Sequence, residues 1–70
     1  MLSDCNYDKV KLIHHLSKMI SFIDRHAVSD AEKDGHPLCA EEYKELRADL
    51  EKHVGKLSLA VKGLSKEDKF

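Results

Sequence analysis

Between Ala40 and Leu64 the residues Tyr43, Leu46, Leu50, His53, Leu57, Ala60 and Leu64 recur at alternating spacings of three and four. That period places them on one side of an α-helix. A stripe of this kind is not stable facing water, so the helix must dock on other helices. The constraint falls on architecture and leaves chemistry open.

A second stripe precedes it. Ile13, Leu16, Ile20, Ile23 and Ala27 repeat at three and four, with Cys5, Leu12, Met19 and His26 on a flanking line and Lys9 on the stripe itself near its start. The apolar face is wide enough for two neighbours. Ser3 or Asp4 is placed to cap this first helix. Beyond Val28 the period gives way to Ser29, Asp30, Ala31, Glu32, Lys33 and Asp34. Continuity to Asp34, ending at a left-handed Gly35, is favoured over a break near Val28 with Ser29 and Glu32 as a new capping box.

Gly35, His36 and Pro37 break the chain, since Pro37 steers His36 away from helical angles. Cys39 then stands at a cap position, with Glu42 three residues on and Leu38 placed to staple against Tyr43. Gly55 costs roughly 1 kcal/mol against alanine inside a helix, which a close helix crossing would justify. Lys62, Gly63 and Leu64 resemble a glycine-terminated stop. The expected layout is one domain over residues 1–70: helix 4–34, turn 35–38, helix 39–62 and a charged tail 63–70.

Two such helices on a tight connection pack antiparallel, with facing residue numbers summing to about 73, twice the turn centre. A chain of 70 residues buries only roughly 60% of its unfolded surface, and domains this small usually need a disulfide, a metal or oligomerisation. Each wide stripe also exceeds what one hairpin partner can cover. The expected fold is therefore all-α: an antiparallel two-helix hairpin dimerising into a four-helix bundle through Leu12, Ile13, Leu16, Met19, Ile20, Ile23, Leu46, Leu50, His53, Leu57 and Leu64. In architecture this resembles the small Rop-type dimers, without any shared residue motif, and such likeness carries no function.

Charges of both signs are interspersed and the net charge is -1, so neither nucleic acid nor an acidic membrane is demanded as a partner. No secretory leader pattern opens the sequence and no run of eighteen apolar residues occurs, which makes the cytoplasm the default and reduced thiols the expectation for Cys5 and Cys39. One continuous helix would hold those two cysteines more than roughly 40 Å apart, too far to bridge within the chain.

Five histidines invite a search for chemistry. His53, inward on the stripe and one turn after Asp49, reads as a polar seam residue that fixes register; in a dimer it could also gather as a metal or pH site. His14 and His15 point about 100° apart and read as exposed. Near the turn His26, Asp30, His36 and Cys39, joined by Asp34 and Glu42, offer zinc-type ligands. A single His-x-x-Cys is nevertheless a weak signal. No cofactor is expected beyond that zinc or transition-metal alternative. No nucleophile, oxyanion donor or phosphate loop accompanies these groups, so catalysis is not expected. Phe22 and Leu59 lie off the stripes, and as one patch they would mark a protein-docking site. The reading is a non-catalytic, homodimeric interaction or regulatory module. Its alternatives are metal binding or sensing, RNA binding in the Rop manner, and a pH response in which five histidines swing the net charge toward +4.

Overall fold

The computed structural model describes residues 4–66, and within them the chain is two long helical arms with no strand. The first arm comprises α1 (Asp4–Phe22), one π-helical turn (Ile23–Ala27) and α2 (Val28–Lys33). The second arm is a single helix, α3 (Pro37–Lys66). The Ser3 cap, Phe70 and the end of the charged tail lie outside the described residues.

The first arm is continuous across Val28, but by way of the π turn, in which the Val28 N–H donates to the Ile23 carbonyl five residues back. Such a turn takes in one extra residue and rotates the helix beyond it. The stripe accordingly changes from a three-four alternation to two steps of four, Ile23 to Ala27 to Ala31. Ala31 becomes one of the buried residues.

The arm ends at Gly35, whose φ of 74° is the left-handed conformation that only glycine adopts freely. Its N–H donates to the Glu32 carbonyl at 3.1 Å, and the His36 N–H reaches the Ala31 carbonyl at 2.8 Å. This paired arrangement satisfies the last carbonyls of the arm. The chain then turns into α3, which starts two residues before the expected Cys39 cap. Pro37 takes the first helical position, where its missing N–H is no loss, and the Ala40 N–H donates to the His36 carbonyl at 3.1 Å. The weak sulfur cap is not needed, and Leu38, 85% exposed, staples against nothing. At the other end α3 runs through Gly63 to Lys66. Glycine there is tolerated inside the helix and does not stop it.

The arms pack antiparallel. Arg47 meets Asp24 directly across them, so facing residues sum to about 71, close to the expected 73. The seam of the first arm is the expected one, extended upstream: Asn6, Lys9, Ile13, Leu16, Ile20, Ile23 and Ala27 are all buried or half-buried. On α3 the seam keeps Tyr43, Leu50, Leu57 and Leu64 but shifts by one residue at the three alternating positions between them. Tyr43, Arg47, Leu50, Val54, Leu57, Val61 and Leu64 face inward, while Leu46, His53 and Ala60 are exposed. The physical reason is that Val54 and Val61 continue the same three-four spacing from Leu50 with aliphatic side chains throughout, whereas the line through His53 would bury an imidazole. The core that results is thin. Its buried apolar residues among those described are Ile23, Ala31, Ala40 and Leu50, and no large side chain falls below 2% exposure.

Candidate interaction surface

The seam residues divide the hairpin into two edges. Relating one arm to the other is a half-turn about the normal to the hairpin plane, which leaves that normal unchanged. The row just before the seam on one arm therefore shares an edge with the corresponding row on the other. On one edge these rows are Cys5, Leu12, Met19 and His26 against Cys39, Leu46, His53 and Ala60. All eight are exposed; Leu12 is 50% exposed and Met19 46%.

The rows one position beyond the seam form the opposite edge: Val10, Ser17 and Asp24 against Lys44, Glu51 and Ser58. This edge is polar and closed by a charge network. Arg47 reaches out from the seam and donates from Nε to Asp24 Oδ1 at 2.6 Å, from Nη2 to Asp24 Oδ2 at 3.1 Å and from Nη1 to Glu51 Oε2 at 2.7 Å. The two-pronged contact with Asp24 is the strong form of an ion pair. The Arg47 hydrogen bond holds the Asp24 carboxyl below its ordinary range, and the same contacts raise the guanidinium. All the partners keep substantial solvent exposure.

The buried polar residue of the seam is Asn6 and not His53. It is 4% exposed, and its Oδ1 accepts from Lys9 Nζ at 3.1 Å. The signal was present in the sequence, since Asn6 and Lys9 extend the Ile13 stripe upstream at the same three-four spacing.

The residues expected as metal ligands are not gathered. Asp30, Asp34, His36 and Cys39 line one shallow cleft of about 240 Å³ beside Phe22 and Tyr43. His26 lies outside it, its ring 5.7 Å from that of Phe22, and His53 sits some fourteen residues further along α3 than Cys39, roughly 20 Å away at helical rise. Among the described residues no group of three or more His, Cys, Asp or Glu could hold one ion. His14 and His15 are both exposed, as their place off the stripe leads one to expect, with rings in edge contact. Cys5 and Cys39 are free and exposed.

Phe22 and Leu59, 60% and 69% exposed, do not make one patch. The register sets Leu59 opposite Leu12, about ten residues or roughly 15 Å along the arm from Phe22. No described helix is long and apolar enough to cross a membrane. The chain matches no protein-family model, and no curated protein and no solved structure matches it.

Proposed function

We propose that this chain is a non-catalytic interaction module that pairs with a second copy of itself to form a four-helix bundle. The observation that carries this reading is excess surface. The single chain exposes 5429 Å², whereas a compact monomer of 8.0 kDa exposes roughly 4,450 Å². The surplus of about 1,000 Å² exceeds the roughly 800 Å² that each partner contributes to a standard stable interface.

The shape agrees with this. The chain is a rod of 50 × 17 × 14 Å with a radius of gyration of 15.6 Å, against about 11 Å for a compact domain of this length. One layer of two helices gives each apolar stripe a single neighbour, and a second layer supplies the other. Of the residues expected at a dimer interface, Ile13, Leu16, Ile20, Ile23, Leu50, Leu57 and Leu64 are engaged within the hairpin, leaving Leu12, Met19, Leu46 and His53 for a partner.

The metal reading has only the turn cleft behind it, where two carboxylates, an imidazole and a thiol line one wall without converging. RNA binding would need lysines along one continuous face, and none of the contacts favours it.

The deciding experiment is light scattering behind size exclusion, with thermal unfolding measured over a hundredfold range of concentration. The expected result is twice the chain mass and a melting midpoint that rises with concentration. A species of single mass at all concentrations, with an invariant midpoint, would refute dimerisation.

A further inference from the structure

Resting on the proposed self-pairing, the pattern of charge and the two unlike edges specify how the second copy sits. We infer that it docks on the Leu12, Met19, Leu46, His53 and Ala60 edge, turned end for end, so that each turn lies against the open end of the other chain.

The choice of edge comes from the groups each already presents. The Asp24, Arg47 and Glu51 edge satisfies its own charges across the two arms, and covering it would strip water from three ionised groups at substantial cost. The opposite edge presents two leucines, a methionine and an alanine in register on both arms. Its two histidines are His26 and His53, and no carboxylate, lysine or arginine stands in its rows, so water is released there without burying a permanent charge.

The choice of direction comes from the long axis. Cut at the register-matched midpoint, the turn half, residues 20–51, holds nine carboxylates against four cationic side chains, a net of -5. Among the described residues the open half holds seven cationic side chains against two carboxylates, a net of +5. Copies placed with turns at the same end would stack like charge on like charge over both halves. Turned end for end, each acidic half meets a basic one, an arrangement that favours association and selects orientation.

The two cysteines report on this directly, because both lie in the rows that make up the docking edge and mark its opposite ends. Cys5 is at the open end and Cys39 at the turn, roughly 40 Å apart within one chain by helical rise. In the end-for-end dimer Cys5 of one copy and Cys39 of the other share an end. In the same-direction dimer each cysteine shares an end with its own equivalent.

The test is cross-linking of the intact chain with a flexible hexane-spaced bismaleimide, read on a denaturing gel, alongside solution mass. Wild type is expected to cross-link, and Cys5→Ser and Cys39→Ser are each expected to lose the product; retention by both single variants would overturn the orientation. Met19→Glu is expected to halve the solution mass with helicity intact by circular dichroism, while Val10→Glu on the other edge leaves a dimer. The reverse pattern, or a dimeric Met19→Glu, would overturn the edge while leaving self-pairing standing. Raising salt from low to high concentration is expected to weaken the dimer several-fold as the halves are screened; tightening would refute the charge pairing. A wild-type monomer would instead refute the self-pairing on which this inference rests.

Discussion

Arg47 holds both carboxylate oxygens of Asp24 from the opposite arm, at 2.6 and 3.1 Å. Among the described residues it is the point where a side chain fixes the register of the two helices by geometry more than by apolar bulk. Because the pair spans the hairpin at about its midpoint, sliding α3 by one turn would break it. The Arg47–Glu51 contact, within a single helix, would survive such a slip.

This pair gives the chain an acid signature. The Asp24 carboxyl is depressed from its ordinary value of 3.8, chiefly by the Arg47 hydrogen bond. A depressed carboxyl contributes stability that is fully present above its unfolded value and is lost as pH falls through its folded one. The stability difference between wild type and Asp24→Asn should therefore stay level from neutrality to about pH 4 and shrink below it. It should also shrink with added salt, since the pair is half exposed. Urea titrations at several pH values measure it, and a difference that grows on acidification would contradict the assignment.

Leu50 is 8% exposed and the largest apolar contributor on α3. Leu50→Ala should cost about 2–5 kcal/mol, the range for a core leucine, which for so thin a core would leave the chain largely unfolded. Leu59→Ala, at a 69% exposed position, should change stability by no more than about 0.5 kcal/mol. His53→Leu provides a further check on the seam: with His53 outside the hairpin core, any shift in stability should depend on protein concentration and vanish on dilution to the single chain, whereas an inward His53 would give a large shift at every concentration.

Two glycines should respond oppositely to alanine. Nothing lies within 4 Å of a Cβ built on Gly55, so no close crossing explains it, and Gly55→Ala should stabilise by roughly 0.5–1 kcal/mol. Gly35 also has space but sits at φ 74°, so Gly35→Ala should destabilise by about 1–2 kcal/mol through backbone strain. Chemical denaturation of both variants decides it, and equal signs would contradict the turn geometry.

Metal should leave the fold unaffected. A site filled at a hundred times its dissociation constant adds about 2.7 kcal/mol of stability. With no converging ligand trio among the described residues, zinc or nickel should not raise the melting midpoint of untagged protein, and His36→Ala should melt as wild type in their presence. A stoichiometric rise abolished by His36→Ala or Cys39→Ser would restore the metal reading.

The sequence by itself determined the two helices, the place of the turn, the left-handed role of Gly35 and the inward line of the first arm from Ile13 to Ala27. These depend on periodicity and local backbone preference, which are written into neighbouring residues. The phase of the α3 seam required the tertiary structure. Two lines of three-four spacing run down α3, one through Leu46, His53 and Ala60 and one through Arg47, Val54 and Val61, and only docking against Ile13, Leu16 and Ile20 chooses between them. The π turn was equally hidden, because no residue between Ile23 and Ala27 breaks the helical pattern locally. Its benefit, turning Ala27 and Ala31 toward α3, exists only when α3 is there. The charge division between the two ends was present in the sequence from the start. It became a property of a surface only when the hairpin brought residues 20–51 together at one end of the rod.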